Sequence, residues 1–181
     1  MTIRLAIALA ASVMMALPAG AFELTSRDIA EGGTLKMEQV ANVFGCSGGG
    51  MSPELLWSNI PEGTKSFVVT AYDPDAPTGS GFWHWVAFDI PPTVSGLPAG
   101  AGALGGNSLP AGAIQSTADA NVAGYLGACP PPGPAHRYIF TVKALKVEKL
   151  GLKANASGAL VGFLSNASSL GEASITVTYG R

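Results

Sequence analysis

Glycine and proline interrupt this chain so often that only short stretches are left for regular structure. The 181 residues include 24 glycines and 13 prolines, and both are disfavoured inside helices and central strands. Only residues 157–166 have helical character, with Ser157 as a candidate N-cap and Gly171 beyond the end. Four other stretches have the alternation, or the aromatic and β-branched content, of strands: 66–72, 83–90, 136–145 and 173–179.

Long loops separate these stretches. The four most conspicuous are rich in glycine and proline and span residues 45–53, 73–81, 91–110 and 124–135. Loops of this length in a compact domain are commonly functional. Several strands with little helix between such loops predict a mainly β fold, an antiparallel sheet or sandwich with one or two short helices.

The first residues predict export. Arg4 precedes an uncharged apolar run over residues 5–17, and Pro-Ala-Gly-Ala follows at residues 18–21. This arrangement is typical of a secretory signal peptide, and the run is shorter than the roughly 20 apolar residues that a membrane span needs. Residues 1–21 are therefore predicted to be removed. Residues 22–181 would then be a single domain, periplasmic or secreted, large enough to bury about two-thirds of its unfolded surface.

The charge of the predicted domain excludes some partners. Only Arg4 leaves with the signal, so nine basic side chains face twelve acidic ones, a net charge of −3. The domain has no basic run, which argues against nucleic acid or an anionic membrane surface as its partner. No later stretch of the sequence is long and apolar enough to span a membrane either.

The two cysteines, Cys46 and Cys129, both lie in the predicted domain. In an oxidising compartment such a pair favours a disulfide. That bridge would close a loop of 83 residue steps, for which the chain-entropy model gives roughly 4–5 kcal/mol. Two buried free thiols are the alternative. A metal site is less favoured, because the cysteines and the two histidines lack close ligand spacing.

Two strings resemble enzyme motifs but lack their context. Gly100-x-Gly102-x-x-Gly105 matches a dinucleotide-binding string, yet prolines flank it and no strand–helix unit surrounds it. Gly45-Cys-Ser47-Gly-Gly49 matches the nucleophile elbow of hydrolases, which requires a helix directly after the serine. Here further glycines and Pro53 follow, so an acyl hydrolase using Ser47 stays only as an alternative.

The two histidines have the most distinctive surroundings. His84 follows the turn-like segment that contains Asp73 and Asp75, and His136 follows a proline-rich loop and begins a predicted strand. A rigid loop beside a strand holds a side chain with little entropy left to lose on binding. Protonated histidine donates two N–H groups, which suit phosphoryl or carboxylate oxygens. A nearby aspartate would orient such a ring and favour its charged form.

Tyrosine hydroxyls at Tyr125 or Tyr138 would add donors to such an anion site. The alternative is that both histidines are buried structural residues and that Asp73 and Asp75 only shape a turn. Spacing alone leaves these two readings open, because it does not establish that the two histidine segments meet.

The histidine segments resemble the phosphatidylethanolamine-binding protein family, in its bacterial Raf-kinase-inhibitor-like branch. The resemblance extends over nearly all of residues 22–179, and the two histidine segments together carry most of its specificity. The matching segments are 52–57 (Ser-Pro-Glu-Leu-Leu-Trp), 72–79 with His84-Trp85, Pro130-Pro131 and 136–138, with 61–67 and 157–162 also matching the bacterial branch.

This resemblance implies a β-sandwich-like fold in which the two histidines meet in a small surface pocket that accepts phosphate-like anions. In this sequence the lining residues correspond to Asp73, His84, Pro131, His136 and Tyr138, with Asp75 and Tyr125 around the mouth. One departure is Cys129, which stands where eukaryotic relatives carry a phosphate-contacting glycine, a change that bears on the width of the pocket.

The prediction is therefore a regulatory binding protein that is not an enzyme and needs no cofactor or metal. Its ligand would be a small phosphate-like or carboxylate anion, such as a phosphorylated head group, or an acidic or phosphorylated group on a protein partner. Anion binding should tighten as the pH falls through roughly 6–7, where histidine gains a proton. Two alternatives remain: an inhibitor of a protease or other exported enzyme, and a hydrolase that uses Ser47 or an activated water.

Overall fold

The computed structural model describes residues 20–106 and 108–181. The predicted signal peptide, residues 1–21, lies almost wholly outside the described residues. Within them the strands are, in chain order, β1 (Glu23–Thr25), β2 (Leu55–Ser58), β3 (Ser66–Asp73), β4 (Phe82–Ile90), β5 (Gly96–Leu97), β6 (Ile114–Gln115), β7 (His136–Leu145) and β8 (Ser169–Tyr179). One α-helix, α1 (Gly158–Ser168), precedes β8, and a 3-10 turn covers Met37–Gln39.

The described strands form two antiparallel sheets. The small sheet has the order β1-β2-β5, and the large sheet has the order β6-β4-β3-β7-β8. The prediction of a mainly β, antiparallel, sandwich-like fold with one or two short helices is thus confirmed. Each of the four predicted strands is present, and β8 begins four residues earlier than predicted, directly after the helix.

The large sheet has a core on each of its faces. Towards the small sheet the core includes Trp57, Phe67, Trp85 and Phe140. Towards α1 it includes Val68, Val86, Phe88, Leu145 and Val161. Because both faces are covered, the inner strands β3 and β4 are buried almost throughout. Coverage on both sides explains why their sequences read as continuous apolar runs and do not alternate.

Helix α1 forms where the sequence predicted it. Its N-cap is Ser157, whose hydroxyl accepts a hydrogen bond from the backbone N–H of Leu160. Gly158 begins the face of the helix that packs on the sheet, and a Cβ there would lie only 2.4 Å from the Trp83 ring. The close approach of the helix to β4 therefore depends on glycine at this position. In the part of the chain from Gly20 onward that the structure describes, no helix is long and apolar enough to cross a bilayer.

Candidate functional site

A pocket of about 150 Å³ opens at one end of the large sheet. Three neighbouring strands begin or end there: β3 ends at Asp73, β4 begins at Phe82 and β7 begins at His136. Antiparallel neighbours bring the C-terminal end of β3 to the same edge as the N-terminal ends of β4 and β7.

Asp73 and His136 form a buried pair in this pocket. Asp73 Oδ2 accepts a hydrogen bond from His136 Nδ1 at 2.8 Å, and Asp73 Oδ1 accepts one from the backbone N–H of Asp75 at 2.8 Å. Both side chains are almost completely buried. The carboxylate thus fixes the orientation of the imidazole and leaves Nε2 as the ring nitrogen available to a ligand.

His84 reaches the pocket through an irregularity in β4. Ala71 of β3 pairs with Trp85, whereas its neighbour Tyr72 pairs with Trp83, so His84 has no partner on β3. A β-bulge of this kind re-aims the side chain of the extra residue. It places the His84 ring 5.2 Å from the ring of Tyr138, measured between centroids.

The backbone carbonyl of Gly127 sets the tautomer of His84. His84 Nδ1 lies 2.8 Å from Gly127 O, and because a carbonyl only accepts, Nδ1 carries the hydrogen. Burial is the main cause that lowers the pKa of His84 to about 4, and it outweighs the opposing effect of Asp73. A nearby aspartate was expected to favour the charged form of such a ring. Asp73 acts on His84 in that direction, but its effect is smaller than that of burial.

The hydroxyl of Tyr138 is buried and makes no hydrogen bond to any of the described residues. Tyr138 belongs to β7 and lines the pocket beside His84. Burial raises the pKa of its hydroxyl well above the ordinary value, so it remains a proton donor. An unpaired buried hydroxyl costs about 1–3 kcal/mol, and a ligand oxygen in the pocket would remove that cost.

Apolar side chains make up the walls around these polar groups. They come from four loops and strands: Phe44, Ala76, Pro77, Phe82, Leu126, Pro130 and Pro131. Phe44 is 66% exposed and lies at the rim. Among the described residues that line the pocket, none is lysine or arginine. Of the lining residues described, the two histidines are therefore the ones able to carry a positive charge.

A disulfide joins two segments of the pocket wall. Cys46 and Cys129 are bonded, as the sequence predicted, and Cys129 itself lines the pocket. Arg181 adds a second tie, because its Nε donates to Pro130 O at 2.6 Å and its Nη2 to Phe44 O at 3.3 Å. Both tie the segment around Phe44 to the proline-rich loop before β7.

Five of the seven predicted ligand-binding residues line the pocket, namely Asp73, His84, Pro131, His136 and Tyr138. Asp75 lies beside it and forms a two-point ion pair with Arg137, which lowers the pKa of Asp75 to about 2. Tyr125 does not line the pocket. Its side chain is buried in the core, where its hydroxyl donates to Gln39 O at 2.9 Å, so the expected place at the mouth is wrong.

Sequence reasoning missed most of the apolar wall. Phe44, Phe82 and Leu126 carry no motif of their own, and only their neighbours in the sequence drew attention. A signal was present for Cys129, because a disulfide to Cys46 brings the two flanking loops together. Ser47 of the hydrolase-like string is exposed, is followed by loop and β2 rather than a helix, and does not line the pocket.

Across residues 20–106 and 108–181, no three histidine, cysteine, aspartate or glutamate side chains are close enough to share a metal ion.

Comparison with known proteins agrees with this architecture. The family model for phosphatidylethanolamine-binding protein matches residues 25–180. The UPF0098 protein YbcL of Escherichia coli K12 is 53% identical over 162 residues, covering 89% of this chain and 88% of YbcL. The UPF0098 protein YbhB of the same organism is 48% identical over 157 residues, covering 87% of this chain and 99% of YbhB.

Solved structures give the same result. The crystal structure of E. coli YbcL, described as a new member of the mammalian PEBP family, aligns with a TM-score of 0.87 at 52% identity, covering 90% of this chain and 99% of YbcL. That of the PEBP homologue CT736 from Chlamydia trachomatis aligns with a TM-score of 0.74 at 28% identity, covering 89% and 98% of the two chains. The family match over most of the sequence and the likeness to these structures lead to one conclusion: the chain belongs to the phosphatidylethanolamine-binding protein family.

Proposed function

We propose that this protein binds a small phosphate-like anion in the pocket at the end of β3, β4 and β7, and that its role is regulatory and not catalytic. The observation that carries the proposal is the Tyr138 hydroxyl, a buried donor with no protein acceptor among the described residues. An anion oxygen placed between Tyr138 and the two histidines would satisfy it. Buried polar groups in native proteins are almost always paired, so an unpaired one in a pocket points to a ligand.

The two histidines support the same ligand. Each has Nδ1 committed to the protein, His84 to Gly127 O and His136 to Asp73 Oδ2, so Nε2 is the ring nitrogen that each has left for a ligand. A protonated ring would donate this N–H to an anion as a charge-assisted hydrogen bond. Since none of the lining residues that the structure describes is lysine or arginine, anion affinity should rise as the pH falls and the rings gain protons.

A catalytic role has less support from the site. Cys129 of the pocket wall is in a disulfide, and Ser47 lies elsewhere on the surface. The apolar wall resembles that of a binding site, in which a few polar groups fix a ligand that apolar side chains enclose.

Export fits the same proposal. The disulfide suits an oxidising compartment, and residues 1–21 have the pattern of a signal peptide. We therefore place the mature protein in the periplasm or outside the cell. Fractionation of cells that express the full chain tests this, with intact-mass measurement of the exported form; a protein that keeps residues 1–21 in the cytoplasm contradicts it.

Removal of a single hydroxyl tests the anion site, with phosphate affinity measured by titration calorimetry at pH 6. The Tyr138→Phe variant should bind phosphate roughly 10- to 150-fold more weakly than the unchanged protein, because a hydrogen bond to a charged group contributes about 1.5–3 kcal/mol. Tyr179→Phe is the matched control. It removes a hydroxyl from the neighbouring strand β8, where the contact is with Met37, and should leave phosphate binding unchanged. Equal affinities for all three proteins would contradict the proposal.

A further inference from the structure

The hydrogen-bonding groups inside the pocket determine which donors and acceptors a matching ligand must carry. Since His84 Nδ1 donates to Gly127 O, the neutral ring can only accept a hydrogen bond at Nε2. The buried Tyr138 hydroxyl has no acceptor among the described residues and therefore needs an oxygen to donate to. A ligand that matches both side chains carries a donor and an acceptor on the same small group.

Anions differ sharply in whether they meet this demand. A carboxylate, a sulfate ester and a phosphodiester offer oxygen acceptors alone near neutral pH. A phosphate monoester has a second ionisation near pH 6, so its singly protonated form carries one P–O–H donor beside two acceptor oxygens. Of these groups only the monoester supplies a proton for His84 at little cost.

Resting on the proposed function, we propose that the pocket selects a phosphate monoester in its singly protonated form. The P–O–H of the ester donates to His84 Nε2, and a second phosphoryl oxygen accepts from the Tyr138 hydroxyl. The proton of the complex is shared between the ester and His84, and no bond to phosphorus is made or broken. A phosphodiester, as in an intact phospholipid head group, is rejected because it brings no such proton.

The charges around His84 determine how this proton is held. Asp73 at the end of β3 and Asp119 in the loop after β6 are the acidic groups that act on the ring, and both favour its protonation. His136 of β7 opposes it, and Tyr138 of the same strand is neutral. Burial outweighs all of them and holds the pKa of His84 near 4. Before a ligand binds, His84 is therefore neutral at pH 7.

The expected ratio of monoester to diester affinity depends on whether the ligand or His84 supplies the proton of the complex. At pH 7 about one monoester molecule in ten is already singly protonated, whereas only about one His84 ring in a thousand is protonated if its pKa is about 4. A ligand that cannot bring its own proton must bind the rarer state. It should therefore bind about 100-fold more weakly than a monoester at pH 7, and the ratio should shrink to about 10-fold at pH 5.

Calorimetry with three ligands that share one aminoethyl group tests this directly. The ligands are O-phosphorylethanolamine (a monoester), glycerophosphoethanolamine (a diester) and ethanolamine O-sulfate. At pH 7, in two buffers of different ionisation enthalpy, the monoester should bind with uptake of about 0.9 proton, because about nine-tenths of it is dianionic when free. The diester and the sulfate should bind about 100-fold more weakly.

The His84→Gln variant shows whether His84 is the group that discriminates. A glutamine amide both donates and accepts without titrating, so the three affinities should come within about 3-fold of one another and the proton uptake should be lost. Tyr179→Phe should behave like the unchanged protein. Equal binding of monoester and diester without proton uptake would overturn the protonated-ester proposal and leave the anion pocket standing. Absence of binding by any ligand at pH 5 and 7 would overturn both proposals.

Discussion

His84 and His136 line the same pocket, but their rings are held by different acceptors. His136 donates to the carboxylate of Asp73, whereas His84 donates to the neutral carbonyl of Gly127. A charge on His84 therefore has no direct counter-ion, and desolvation lowers its pKa to about 4. In the absence of a ligand, the folded state therefore binds a proton at His84 less readily than the unfolded state does, and this makes the stability of the protein depend on pH.

The sign of that dependence follows from the lowered pKa. Because the unfolded ring has a pKa near 6.5, the unfolded state binds the proton more readily than the folded state. The contribution of neutral His84 to the free energy of unfolding should be fully present above pH 6.5. It should decrease as the pH drops towards 4, by about 2–3 kcal/mol at pH 4.5. Urea unfolding in anion-poor buffer at pH 7 and 4.5 measures it. His84→Gln should remove this loss, and an equal loss in that variant would contradict the assignment.

Gly127 contributes to the site through its backbone carbonyl, which accepts the hydrogen bond of His84 Nδ1. It has a φ of +79°, and a Cβ there would lie 2.6 Å from the backbone nitrogen of Ala41. Gly127→Ala should therefore destabilise the protein by roughly 2–5 kcal/mol, from left-handed strain together with the steric overlap. Phosphate affinity should also fall, because the displaced carbonyl no longer orients His84. Thermal unfolding and calorimetry measure the two effects.

Gly112→Ala is the matched control for that variant. Gly112 has a φ of +89°, but a Cβ there would meet nothing within 4 Å. It should cost only about 1–2 kcal/mol and leave phosphate affinity intact. If both variants lost the same stability and kept full affinity, the role given to the Gly127 carbonyl would be contradicted.

At the scale of elements, the sequence predicted the long strands and the helix but not the β-bulge that directs His84 into the pocket. Period-two alternation and aromatic content were enough to identify β3, β4, β7 and β8, since each of these strands has eight residues or more. The bulge at His84 interrupts that period, and alternation alone would have placed Trp83 and Trp85 on one face of the sheet. Instead Trp83 packs beside the helix and Trp85 enters the other core.

For related reasons, the sequence predicted neither the short strands nor the direction in which side chains of the loops point. β1, β2, β5 and β6 have only two to four residues each, too few for a period to be recognised, and tertiary pairing alone defines them. Tyr125 lies in a loop, where no period tells which way a side chain points. The predicted residues that do line the pocket lie mostly at strand ends, where antiparallel pairing determines which of them meet.

The N-cap of α1 gives a prediction at this scale. Ser157→Ala removes the hydroxyl that accepts from Leu160 N–H, and it should cost about 1 kcal/mol of unfolding free energy. Ser157→Asp should keep the stability, because aspartate caps as well as serine does. Chemical denaturation of the three proteins measures the difference. If Ser157→Asp were as unstable as Ser157→Ala, the cap would not be the source of the loss.

At the scale of the whole molecule, the disulfide connects residues 83 positions apart and joins two walls of the pocket. Replacing Cys46 and Cys129 by serine should cost up to about 4–5 kcal/mol in the chain-entropy model. Phosphate should also bind more weakly, because Cys129 and Phe44 line the pocket and lose their link. Unfolding and calorimetry on the double variant measure both effects. Unchanged stability and affinity would mean that the bridge supports neither the fold nor the site.

The central claim for the whole molecule is that two distant segments form one anion site. Titration calorimetry of the protein with phosphate and O-phosphorylethanolamine, beside the double variant His84→Ala, His136→Ala, tests it most directly. Circular dichroism first establishes that the variant is folded. We expect the unchanged protein to bind both ligands and the folded double variant to bind neither. Undiminished binding by that variant, or no binding by the unchanged protein at pH 5 to 7, would contradict it.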